Sequence, residues 1–175
     1  MCRLRTMSTA EPATRSVAEI ARSYFESVGD HDLDGMMRYW KPGGEGSIHG
    51  MVALRVPDGY REWFGALFAA FPDLEFEILD VVAEGDKAAV RWRAAGTFTG
   101  GSFEGMIANG SSVEMEGCDV LTIRDGLIVE NRAYTNAAEL ARQLGAMPPQ
   151  SSGRERAMLG AFNLKTRLSR ALRRG

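Results

Sequence analysis

Residues 112–134 read SVEMEGCDVLTIRDGLIVENRAY. The β-branched and apolar residues, with partial alternation, predict two strands, Ser112–Arg124 and Leu127–Tyr134. Asp125-Gly126 between them is the dipeptide of a two-residue hairpin turn, so the strands are antiparallel neighbours. With that turn, paired residue numbers sum to 251, which places Asp119 opposite Arg132 on one face. A three-residue turn with a bulge would break this pairing and exchange the faces.

The same texture continues upstream. Leu74–Ala83 and Ala88–Thr99 read as strands joined by the tight turn Glu84-Gly85-Asp86, while Gly100-Gly101 and Asn109-Gly110 mark a longer connection. Before them the period changes to helical. Val17, Ile20, Ala21, Tyr24, Phe25 and Val28 recur at helical spacing behind Ser16 and Glu19, a capping-box pair, and Gly29 ends the run. Asp32 opens a second short helix through Leu33, Met36, Met37 and Trp40, stopped by Pro42-Gly43-Gly44. Ser47–Val52 is short and ambiguous. Asp58 caps a third helix carrying Trp63, Phe64, Leu67, Phe68 and Phe71, closed by Pro72. A last helix covers Asn136–Leu144 before Gly145. Helices followed by a meander give an α+β class, with N-terminal helices on one face of a curved antiparallel sheet. Such a sheet leaves a concave apolar pocket, which its many aromatic side chains would line or simply fill.

The chain has 175 residues, 45% hydrophobic and 25% charged, with a formal charge of −2. That suits one soluble domain and argues against a wholly nucleic-acid-binding surface. Two cysteines and two histidines cannot build a disulfide framework or a Cys/His zinc site. No apolar run has the length of a membrane span, and no apolar stretch follows the early arginines as in a secretory signal, so the expected location is cytoplasmic. Charge is segregated. From Ser151 onward seven basic residues face one acid, Glu155, which makes that tail +6 and the remainder −8. Residues 1–15 are read as a flexible leader, 16–147 as the domain and 148–175 as a basic amphipathic tail. In the tail, Ala157, Ala161, Leu164, Leu168 and Ala171 recur at helical spacing. It could lie on an anionic membrane, pack on a partner or touch nucleic acid, or dock on the acidic domain of its own or a sister subunit.

Phe68-Ala69-Ala70-Phe71-Pro72-Asp73-Leu74, Val82 to Trp92, Gly117-Cys118-Asp119-Val120-Leu121, Arg124 to Glu130 and Arg142-Gln143-Leu144-Gly145 together resemble the SnoaL-like polyketide cyclase family, of the nuclear transport factor 2-like superfamily. The resemblance runs from about Val17 to Pro148. It implies a cone-shaped α+β barrel of the cystatin-like kind with one deep pocket, often a homodimer across the sheet. It also implies a hydrophobic small-molecule ligand and chemistry without cofactor or metal. In the family's aldol cyclisation a carboxylate removes an α-proton and a donor holds the enolate oxygen. The family's usual Trp-Asp pair at the end of the last strand and a second Asp three residues on align with Arg132, Ala133 and Asn136. A histidine common in the preceding strand aligns with Asp119.

Three residues are candidates for catalysis. Asp119 sits in an apolar strand, where a charge is costly unless it is paired or functional. It reads either as a poised carboxylate or as a cross-strand ion pair with Arg132. His49, after Gly43-Gly44-Glu45-Gly46, reads as a general base or as a surface histidine. Tyr24, Tyr39, Trp40, Trp63, Phe68, Trp92, Tyr134 and Asn136 are candidate substrate contacts, although Asn136 also suits a helix cap. His31 is expected to be solvated and Cys118 buried and inert. The reactions consistent with these residues are cyclase-type acid/base catalysis on a hydrophobic carbonyl or ester, or isomerisation or hydrolysis on the same fold. The alternative is non-catalytic ligand binding or dimerisation.

Overall fold

Helix α1, Val17–Gly29, starts at a complete capping box. The Ser16 hydroxyl accepts from the Glu19 N–H, and the Glu19 carboxylate accepts from the Ser16 N–H. Its apolar face buries Ile20, Ala21, Tyr24, Phe25 and Val28. The computed structural model describes residues 15–173, so the expected leader lies outside the described residues except for Arg15. A short α2, Leu33–Arg38, follows, with Asp32 accepting from the Gly35 N–H as its cap.

Here the sequence expectation needs its first correction. Trp40 does not extend α2; it opens a strand, β1 (Trp40–Ile48), which runs through Pro42-Gly43-Gly44 and turns back as β2 (Val52–Arg55). The glycines are needed by their neighbours. A Cβ at Gly44 would press on the Trp40 ring, and one at Gly46 would overlap the hydroxyl and ring of Tyr60. A segment that looks like a flexible loop is therefore a strand with a bare surface, against which two aromatic side chains lie.

Helix α3, Asp58–Ala70, leads into the meander β3 (Glu75–Glu84), β4 (Lys87–Thr97), β5 (Ser112–Arg124) and β6 (Leu127–Thr135). Helix α4, Ala137–Gln143, and helix α5, Gly153–Leu172, complete the chain. The six strands form one curled, open sheet in the order β2-β1-β6-β5-β4-β3. All pairs are antiparallel except β1 with β6, which is parallel. A parallel neighbour cannot be joined by a tight turn, so no local signal announced it. The main core forms where α1 packs on the concave face of the sheet: Tyr24, Met36, Val90, Leu121 and Ile128 are almost wholly buried. A second apolar cluster, centred on Phe71, Phe98 and Phe103, closes the other end beneath α4.

The β5–β6 hairpin fixes what the concave face displays. Asp125 and Gly126 both have positive φ, 53° and 77°, as a type I′ turn requires. Arg124 pairs with Leu127 and Ile123 with Ile128, as the two-residue turn dictates. The register then slips between Thr122 and Ile123, because Thr122 pairs with Glu130 and leaves Val129 as the extra residue of a bulge. Asp119 consequently faces Ala133, and Arg132 falls opposite Val120.

The close approach of Tyr60 to β1 is testable. Gly46→Ala is expected to cost about 1–3 kcal/mol by overpacking, measured by urea unfolding. An unchanged midpoint would show that the Tyr60 ring has room to move.

Candidate functional site

The concave face carries a cavity of about 140 Å³, room for roughly one aromatic ring. Helix α3 contributes Tyr60, Trp63, Phe64 and Leu67 to its wall, the i, i+3, i+4, i+7 stripe of a helix facing inward. Strands β4, β5 and β6 supply Trp92, Asp119, Asn131 and Ala133. The wall is otherwise overwhelmingly apolar.

Asp119 is the ionisable centre of this surface. It is 5% exposed, and its two oxygens accept hydrogen bonds from Trp92 Nε1 at 2.7 Å and from Asn131 Nδ2 at 2.6 Å. Burial pushes its carboxyl up to about 6 from the usual 3.8, while the two donors, which favour the anion, pull the other way. The result is a carboxylate that is mostly ionised at neutral pH and yet far more basic than an exposed one.

Sheet register makes this arrangement possible. Trp92 pairs with Gly117, two residues from Asp119 on the same face. A Cβ at Gly117 would collide with the indole. The bare glycine lets the ring lie flat across β5 and extend its N–H to the carboxylate. From the other side, Asn131 pairs with Leu121, again two residues away. The diagonal neighbours on both flanking strands thus supply the donors.

Tyr60 lines the same cavity and is 3% exposed. Its phenol is raised above its ordinary value, first by burial and then by the negative charge of Asp119, so it stays neutral and able to donate. Asn131 Oδ1 is buried without a hydrogen-bond partner among the described residues. Neither Tyr60 nor Asn131 stood out in the sequence. Tyr60 had a detectable signal, since it falls on the same helical stripe as Trp63 and Phe64. Asn131 had none, because the bulge at Val129 decides which face it shares.

The other sequence candidates separate cleanly. Trp63 and Trp92 line the cavity. Tyr24 and Trp40 lie beneath its wall, packed edge to face with ring centroids 6.0 Å apart. Tyr39 sits under the Arg15 guanidinium, and Phe68 stacks on His31 at 4.3 Å. Asn136 caps α4 by accepting from the Glu139 N–H.

Arg132, His49 and Tyr134 are on the convex side. Arg132 pairs with Glu130 at 2.7 Å instead of with Asp119, because the bulge turned it outward. His49 is exposed and lies against the Tyr134 ring, centroids 5.5 Å apart. His31 is not solvated as expected: its Nε2 lies 2.9 Å from the Leu74 carbonyl oxygen, and the ring is half-buried. Cys118 also faces the convex side and is partly exposed, with its thiol raised by burial and by Asp119, so it is not a poised thiolate.

A carboxyl raised by burial makes the folded state bind its proton more tightly than the unfolded chain does. Asp119 therefore lowers stability progressively as pH rises from about 4 through 6, and the loss then levels off. Replacement by asparagine removes the charge but keeps an acceptor for Trp92. Asp119→Asn is expected to unfold at a higher temperature than the parent at pH 8, with the gap closing near pH 4. A gap independent of pH would show that burial does not perturb this carboxyl.

Among solved structures the chain superposes on AclR of Streptomyces galilaeus, described as a candidate hydroxylase. The TM-score is 0.67 at 24% identity, over 89% of this chain and 98% of that one. It also superposes on a SnoaL-like polyketide cyclase-type protein of Jannaschia sp. CCS1, with TM-score 0.69 at 24% identity over 81% and 100% of the two chains. For IdmH of Streptomyces antibioticus, described as a candidate polyketide cyclase, the TM-score is 0.64 at 24% identity over 75% and 99%. Likeness at these identities concerns the fold. No curated protein sequence matches the chain. The profile of the SnoaL-like polyketide cyclases matches residues 18–144, nearly the whole of the curled sheet and its helices, and the chain belongs to that family.

Proposed function

We propose that this protein is an acid/base enzyme for a hydrophobic carbonyl or ester compound, with Asp119 as the proton acceptor. The observation that carries this reading is the buried carboxylate, raised to about 6, in the wall of an otherwise apolar cavity. Acid/base catalysis works best when the group's pKa lies near the working pH. Family members commonly place a carboxylate where this chain has Ala133. Asp119 is the direct cross-strand partner of Ala133, and such partners have Cβ atoms about 4.5–5.5 Å apart. A base can therefore move from one strand to the next while serving the same hollow.

In this reading Asp119 takes a proton from the carbon beside a carbonyl, and the electron pair of that C–H bond passes into the enolate. The neutral Tyr60 hydroxyl donates a hydrogen bond to the enolate oxygen, and Asn131 Oδ1 accepts from a substrate hydroxyl. In a cyclisation, the enolate carbon then attacks a second carbonyl of the same molecule. The proton returns from Asp119 to the new alkoxide, so atoms and charge balance. Trp92 holds the carboxylate in place and keeps it ionised. The folded unit in this proposal is residues 16–147, working as a homodimer with a hydrophobic small-molecule ligand.

A second reading has support of its own. Both Asp119 oxygens already accept from protein donors. A carboxylate so held also suits a pocket that binds an apolar ligand without converting it.

Turnover of polyketide esters and cyclic β,γ-unsaturated ketones decides between them. The expected result is a kcat/KM that rises with pH around an apparent pKa near 6. It should fall at least about a hundredfold in Asp119→Asn and about tenfold or more in Tyr60→Phe. Equal turnover in parent and Asp119→Asn removes the acid/base role. Ligand binding by both proteins, without turnover by either, establishes the second reading.

A further inference from the structure

Helix α5 has a composition unlike the rest of the molecule. Every residue from Arg156 to Arg170 is solvent-exposed except Thr166, which is half-buried. Phe162, Leu164, Leu168 and Leu159 each expose more than half of their surface. Four or five large apolar side chains standing in water on one helix mark a surface that is covered in use.

The distribution around the helix is ordered. At 100° per residue, Met158, Ala161, Phe162, Leu164 and Leu168 fall within one half of the circumference. Arg156, Asn163, Arg167 and Arg170 fall in the other, with Leu159 at its edge. Lys165 lies in the apolar half, where its long stem can run along an apolar surface and carry the ammonium out to the polar boundary. The one acid of the helix, Glu155, is engaged at its base. It accepts from the Ser151 N–H and approaches Arg142 of α4 at 3.7 Å. From Arg156 onward the helix is purely cationic, and among the described residues none of its basic side chains makes a salt bridge.

Four kinds of occupant could cover it. A second α5 would bring two cationic helices together and repel. The acidic domain surface offers carboxylates, several already paired with Arg91, Arg93, Arg124 and Arg132, but would set Phe162, Leu164 and Leu168 against charged side chains. A nucleic-acid backbone would satisfy the arginines but leave Phe162, Leu164 and Leu168 in water. An anionic bilayer surface satisfies both halves at once. Its headgroups meet the guanidinium groups, and its outer hydrocarbon takes the apolar side chains. The helix is rooted at Glu155, and among the described residues its Arg156–Arg170 stretch stays exposed to solvent apart from Thr166, so it can lie flat while the cavity stays folded beside it.

We infer that α5 binds peripherally to anionic lipid membranes through the Phe162–Leu168 face and its arginines.

Flotation of the full chain with vesicles tests this. With phosphatidylcholine containing 30% phosphatidylglycerol, as a chosen probe composition at roughly 0.1 M salt, the protein is expected to float. It should stay at the bottom with phosphatidylcholine alone, and bound protein should decline as salt is raised. The double variant Arg167→Gln/Arg170→Gln should partition roughly 30-fold more weakly. Phe162→Asp should lose most binding while its circular dichroism melting curve, which reports the intact domain, is unchanged. The inference is overturned by equal flotation on neutral and anionic vesicles, or by no flotation at all. It is also overturned if the chain binds duplex DNA, or forms an oligomer sensitive to Phe162→Asp, without binding vesicles.

Discussion

A carboxylate buried in an apolar hollow is expensive, and much of this molecule is arranged around that cost. Asp119 sits on the concave face, where water is mostly excluded, and its charge is supported only by the Trp92 indole and the Asn131 amide. Each such bond to an ionised group contributes about 1.5–3 kcal/mol. Their combined effect offsets part of the burial, and the carboxyl is still pushed up to about 6. The compromise yields a group that is charged at neutral pH and more basic than an exposed carboxylate.

Holding those two donors in place requires features several strands away. Gly117 must lack a side chain for the indole to cross β5. Val129 must bulge for Asn131 to turn inward, since without it the concave face would show Glu130 and Arg132 instead. On the opposite wall, Gly46 must be bare for the Tyr60 ring to reach β1. Two glycines and one extra residue thus decide which polar groups the cavity displays although none of them lines it.

Asp119 and Ala133 are direct cross-strand partners on the concave face, and both line the cavity. Facing positions on adjacent strands open onto the same space, so the sheet offers more than one place from which a polar side chain can reach it. The convex face, by contrast, is covered with arginine–glutamate pairs that are exposed and individually worth little.

Period and punctuation in the sequence were enough for the helices, the meander and both tight turns. Apolar spacing of 3.6 or 2 reflects burial on one face, and residues such as Asp125-Gly126 or Ser16 with Glu19 act within their own turn. That Asp119 would be a buried, hydrogen-bonded charge was legible for the same local reason, its place in an apolar strand. What surrounds it was decided by tertiary structure. Its expected partner Arg132 gave way to Trp92 and Asn131 because a single unpaired residue shifts every later side chain to the other face. The strand hidden in Pro42-Gly43-Gly44 and its parallel pairing with β6 were likewise set from afar. Glycines are placed there by the bulk of Trp40 and Tyr60, and no turn in the chain records which distant strand will lie alongside.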